Sequence, residues 1–168
     1  MKEEAPVVHA GREQTFKENI AETFTLLFSR KMARVIPAMI WCSLSLATFA
    51  GSFITLMTDT MDEKLPPNEK LELSLFAMIP LGLGQMLGGA FIGQIIDRLG
   101  MRPGILCSLT LVTLAFALML YYVYLYEFTW LTFIVNFAWG LQDATLNNLM
   151  NCTLGFEFGQ DSAAPFSV

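Results

Sequence analysis

The chain of 168 residues is 54% hydrophobic and only 15% charged, with ten Lys and Arg against fifteen Asp and Glu and a net charge of −5. A soluble domain carries nearer a quarter charged residues, so a water-soluble globule is a poor reading of this composition. The acidic balance, without a basic patch interleaved with aromatics, gives no footing for nucleic acid.

Residues 1–12 open on Met1-Lys-Glu-Glu-Ala-Pro and include the one histidine, His9; they read as a flexible tail and not as a cleavable signal peptide. Residues 13–34 read as an amphipathic helix. Thr15-Phe-Lys-Glu18 has the spacing of a capping box, in which a hydroxyl and a carboxylate satisfy free backbone N–H groups. Phe16, Ile20, Phe24 and Leu27 recur at helical steps, away from Glu18, Glu22 and Ser29. Arg30, Lys31 and Arg34 end the segment, which fits a helix along the membrane surface before the chain turns into the bilayer at Val35. A soluble helix packed on a partner protein would show the same pattern.

Residues 35–156 read as a four-helix transmembrane region. Val35–Met57, Leu73–Ile96 and Gly104–Tyr126 hold no charged side chain. Each runs roughly 34–36 Å as a helix, enough to cross a hydrocarbon core of about 30 Å. Phe128–Phe156 is long enough for a fourth span but contains Asp143. Residues 157–168 read as a loop toward a further helix. Within the spans, Gly84-Gln-Met-Leu-Gly88 and Gly89-Ala-Phe-Ile-Gly93 strip side chains from one helix face, which permits close backbone approach to a neighbouring helix. Pro37 and Pro80 each remove a backbone hydrogen bond and are expected to bend their helices. Cys42, Cys107 and Cys152 lie inside predicted spans without metal or redox spacing and read as small apolar packing residues.

Lys2, Arg12, Lys17, Arg30, Lys31, Arg34, Arg98 and Arg102 fall on one side of these spans, whereas only Lys64 and Lys70 fall on the other. The positive-inside bias then sets the N-terminus and the Asp97 loop on the cytoplasmic or equivalent side. Tyr121, Tyr122, Tyr124, Tyr126 and Trp130 cluster at the far turn, where an aromatic belt sits at the headgroups.

Two places carry candidate chemistry. One is Gly93-Gln-Ile-Ile-Asp97-Arg98-Leu-Gly100-Met-Arg102, between the second and third spans. The other is Asp143, about 22 Å into the fourth segment, with Asn147 and Asn151 following at i+4 and i+8 and Gln142 and Asn148 beside it. A carboxylate at that depth is costly and usually faces a partner or a water-filled cavity. The polar face fits either a cavity wall for a polar solute or proton, or interhelical hydrogen bonding. No nucleophile elbow, phosphate-binding glycine loop or metal-ligand cluster is present, so no enzyme and no cofactor is expected.

The G-x-x-x-D-R-x-G-x-R run between two spans resembles the cytoplasmic signature loop of the major facilitator superfamily. Leu27-Phe-Ser-Arg-Lys-Met32 leading into Ile36-Pro, Gly51, Trp139-Gly-Leu-Gln-Asp143-Ala with Asn147 and Asn151, Gly155-Phe-Glu-Phe and Ala163-Ala-Pro-Phe166 are similar to the second six-helix half of its Unc-ninety-three-like branch. The resemblance implies the seventh to tenth helices of a twelve-helix fold whose substrate site lies between two halves. It implies that Asp97 and Arg98 belong to a latch at the cytoplasmic side, with Gly93 allowing close helix contact. The plainer alternative is an Asp-Arg turn anchoring a hairpin at the headgroups. The loop departs from the superfamily pattern in having only Arg102 between Met101 and Pro103.

Four helices of this type do not enclose a central site. The expected function is therefore a partial or shortened transporter unit that docks on or supports a larger membrane complex. The alternative is a fragment of an active secondary transporter of a small solute. The expected partners are the bilayer and either the remaining transporter half or other membrane subunits; the sequence names no solute and no particular membrane. In a cysteine-free background, an impermeant thiol reagent is expected to label Asn68→Cys from the far side and Arg102→Cys from the near side. The reverse pattern overturns this topology.

Overall fold

The computed structural model describes residues 27–158 continuously, together with Ile20, Phe24 and Thr25. The tail with His9, the capping box at Thr15–Glu18 and residues 159–168 lie outside the described residues. Among the described residues all elements are helical: α1 (Met32–Asp59), α2 (Pro67–Ala77), α3 (Ile79–Leu99), α4 (Met101–Leu125) and α5 (Trp130–Phe158). Among the described residues, three stretches, Val35–Asp59, Pro67–Leu99 and Met101–Leu125, are long and apolar enough to cross a membrane.

Of the surface helix expected over 13–34, Ile20, Phe24, Thr25 and Leu27 are helical, and the Phe28 N–H donates to the Phe24 carbonyl at 3.2 Å. Its expected end needs correcting. Residues 28–31 form a turn, and the Ser29 hydroxyl oxygen accepts the Met32 N–H at 3.2 Å. This side-chain acceptor satisfies an otherwise free donor at the start of α1, so Arg34 falls inside α1. α1 then runs through Pro37 as one helix.

The second span is longer than expected and is divided. The helical ladder breaks at Met78, two residues before Pro80, which occupies the first turn of α3. Proline cannot donate to the preceding turn and disfavours helical geometry just ahead of it, which locates the break. Gly100 alone joins α3 to α4, with φ 90° and ψ 178°, a conformation that side chains disfavour. That is the physical role of the second glycine of the signature loop. Pro103 follows in the first turn of α4, where its missing N–H costs little.

At the opposite end, Tyr126 closes α4 in the left-handed region at φ 49°, and the Phe128 N–H donates to the Thr60 carbonyl at 3.2 Å. The aromatic belt also needs one correction. Tyr121, Tyr124, Tyr126 and Trp130 are exposed, but Tyr122 is wholly buried, its hydroxyl 2.7 Å from that of Thr60. Tyr122 packs with Phe53 in the largest core cluster, which also holds Phe49, Met57, Val135 and Trp139. A second cluster joins Met32, Val35 and Leu154, and a third joins Ile92, Ile96 and Leu149 with Cys107 and Cys152 against it. The three cysteines are free thiols.

α5 is the centre of the bundle. Its main partner is α3, then α4, with α1 set more loosely against it. α5 has the length of a span, and its expected end extends through Phe158, but its Asn, Gln and Asp content keeps it out of the apolar set. Much of that polar surface is covered by neighbouring helices. Ile40, Met86, Leu87, Leu106 and Leu120 on the outside are exposed, as suits surfaces facing hydrocarbon.

The α3–α5 contact is built from backbone. A Cβ on Gly84 would strike the Phe137 carbonyl oxygen, and one on Gly140 would strike the Leu81 carbonyl oxygen. A Cβ on Gly88 would sit 2.5 Å from the Leu141 carbonyl oxygen, and one on Gly89 would sit 3.2 Å from Asn148 Nδ2. Gly93 departs from the expected strip, since nothing lies within 4 Å of a Cβ placed there. Gly93 lies five residues past Gly88 and so faces about 140° away from the α5 contact, which continues through Ile92 and Ile96 against Leu149. Gly140→Ala forces main chain against main chain and is expected to destabilise the fold by about 1–3 kcal/mol. Gly93→Ala is expected not to destabilise it. Unfolding in mixed micelles checks both, and equal effects would refute the glycine contact.

Candidate functional site

Asp143 sits on the covered side of α5 with 4% of its surface exposed. Its partner comes from α3, where Gln85 Nε2 donates to Asp143 Oδ2 at 3.0 Å. One turn further along α3, the Gly89 carbonyl accepts from Asn148 Nδ2 at 3.2 Å. These two interhelical bonds flank the glycine contact and depend on it, because short polar side chains reach a neighbouring helix only when the backbones are close. Gly89 contributes by leaving its own carbonyl uncovered.

Asp143, Asn147 and Asn151 share one face by their spacing, and the structure separates their roles. Asn147 Nδ2 donates at 3.0 Å to the Asp143 backbone carbonyl, within its own helix. Asn151 is exposed. Neither bridges to another helix; Gln85 and Asn148 do. Gln85 was missed, although a glutamine inside an otherwise apolar span next to Gly84 was a visible signal. Asn136 was missed too. It is fully buried, seven residues before Asp143 and so on nearly the same face, and its Nδ2 donates to the Thr132 carbonyl at 2.9 Å.

Asn147 and Asn151 line a cleft of about 120 Å³ between α5 and α1, together with Met39, Cys42, Ser43 and Leu154. Pockets that enclose a small organic ligand run to about 300–1,000 Å³, so this one suits waters or a single small polar group. Among the described residues, no group of three or more His, Cys, Asp or Glu side chains comes together as a metal site.

The signature loop is placed at the other candidate position. Asp97, Arg98, Gly100 and Arg102 are exposed at the α3–α4 junction. Among the described residues, none of the three charged side chains forms an ion pair. The close helix contact expected at Gly93 is likewise not made within the described chain.

A bundle of long apolar helices, with polar groups bonded between helices and hydrocarbon-type side chains outside, defines an integral membrane protein. The family model of the Major Facilitator Superfamily matches residues 2–156. The chain belongs to that superfamily, whose members are transporters and not enzymes. No curated protein and no solved structure matches it.

Gln85→Leu removes the cross-helix donor and is expected to destabilise the bundle by about 0.6–1.7 kcal/mol, the range of interhelical hydrogen bonds in membranes. Asp143→Asn keeps an acceptor for Gln85 and is expected to cost less. Unfolding in mixed micelles measures both, and a silent Gln85→Leu would remove the bond's structural role.

Proposed function

We propose that this chain is an Unc-ninety-three-like unit of the superfamily that docks on and supports a larger membrane assembly. The observation that carries the reading is the open side of α3 at Gly93, opposite the face that Ile92 and Ile96 bury. Gly93 is half-buried with nothing within 4 Å of a Cβ placed on it, beside Asp97, Arg98 and Arg102 without ion-pair partners among the described residues. A side-chain-free step next to unpaired charges suits a helix and a loop from a second body, packing by close backbone approach and closing ion pairs at the membrane surface. In this reading Asp97 and Arg98 are one half of a latch whose other half lies on the partner. The N-terminus and this loop face the cytoplasmic or equivalent side, on the basic-residue bias.

A second reading rests on the α1–α5 cleft. Asn147, Asn151 and Ser43 line it, and Asn151 is exposed. Further helices closing over that cleft would make a polar pathway, with this chain as one wall of a small-solute transporter.

Native electrophoresis in mild detergent separates the two. Docking predicts migration within a larger assembly, and Gly93→Leu, whose Cβ has nothing within 4 Å in the described chain, releases the chain as a free species. A free monomer that moves solute into liposomes would overturn docking in favour of transport.

A further inference from the structure

The α1–α5 cleft is lined by sulfur as well as by amide groups. Met39 and Cys42 stand three residues apart on α1 and so share one helix face, while Met150 comes from α5. Met39 and Met150 are half-buried and pack on the same cluster of Met32, Val35 and Leu154, which joins the two helices at this level. Cys42 is a free thiol with 7% of its surface exposed. Two thioethers and a thiol, drawn from two helices, thus line one cleft of about 120 Å³.

Thioether and thiolate sulfur are soft donors that select Cu(I), whereas carboxylates, carbonyls and water suit Mg, Ca and Mn. Neither imidazole nor carboxylate lines this cleft, so it offers zinc only one of its usual donors. Charge points the same way. One thiolate with two neutral thioethers balances a monovalent ion, and a divalent ion would leave a net charge inside the bilayer, which is costly. The Asp143 carboxylate acts electrostatically on Cys42 and favours a cation at the sulfur. Ser43 and Asn151 are exposed in the wall of the cleft, where an arriving ion exchanges its water for sulfur.

We propose that this cleft binds one Cu(I) ion through the Cys42 thiolate and the thioethers of Met39 and Met150. On binding, the Cys42 S–H bond breaks, a copper–sulfur bond forms and the proton passes to water at the exposed side of the cleft; copper keeps its oxidation state. Occupancy needs neither a docked partner nor a transported solute, so the site stands or falls separately from both readings above.

Cu(I), kept reduced by ascorbate and titrated against bicinchoninate, serves as the probe on the full chain in nanodiscs. Cys107→Ala together with Cys152→Ala removes the two thiols of the third core cluster and should leave the bound ion in place. Losing an outer-shell partner already costs about 10–100-fold in metal affinity, so Cys42→Ser, which removes a direct ligand, should cost about 100-fold or more. Met39→Leu and Met150→Leu nearly conserve volume and apolarity, which keeps the packing, and each should weaken binding by about tenfold or more. Three results overturn the proposal. They are full affinity for Cu(I) in Cys42→Ser, unchanged affinity in both methionine variants, and Zn(II) displacing Cu(I) at equal concentration. Where Cys42→Ser fails to keep the fold, the two methionine variants decide, because a packing role alone predicts no change in copper affinity for either.

Discussion

The organisation of this bundle depends on the side-chain-free contact between α3 and α5. Lipid tails are as apolar as leucine, so helices in a bilayer gain little from burying apolar surface against one another. Close packing and interhelical hydrogen bonds must supply the association. Gly84, Gly88 and Gly140 bring the two main chains together, and only at that separation do Gln85 and Asn148 reach across. The carboxylate of Asp143 is tolerable at its depth because that contact covers it. The glycines and the buried polar groups are one device, since neither works without the other.

The same logic explains why α5 is central although it is not the most hydrophobic helix. A helix rich in Asn, Gln and Asp is stable in the membrane only where its polar stripe meets protein or water. α4, by contrast, has hydrocarbon-type side chains over most of its surface and sits at the periphery against α5. Placement in the bundle follows the cost of exposing each face.

Much of this was legible in the sequence and some was not. Uncharged runs of membrane-spanning length marked the helices, and the glycine spacing marked the packing face, because both signals are local. Gly93 shares the four-residue spacing with Gly89, but it lies five residues past Gly88 and so faces about 140° away from the contact, a helical phase that the motif spacing conceals. Tyr122 is likewise a matter of helical phase. Four tyrosines within six residues look like a belt until helical rotation turns one inward to meet Thr60. Asp143 was conspicuous as a charge in an apolar run, whereas its partner Gln85 lies 58 residues away and only the fold pairs them. The α1 start was displaced because Ser29 provides a stop that composition alone ranks below the basic residues around it.

The single-residue joint at Gly100 makes the α3–α4 hairpin intolerant of changes in length. Adding one residue there would rotate α4 by about 100° about its own axis. Gly104, whose missing side chain accommodates Ile96, would swing away and bring a bulkier neighbour against α3. Substitution at Leu99 or Met101 leaves the phase of the two helices intact, while insertion or deletion does not. The spacing of Asp97, Arg98 and Arg102 is therefore fixed by helical phase, and it would persist through any drift in sequence that preserves the number of residues between them.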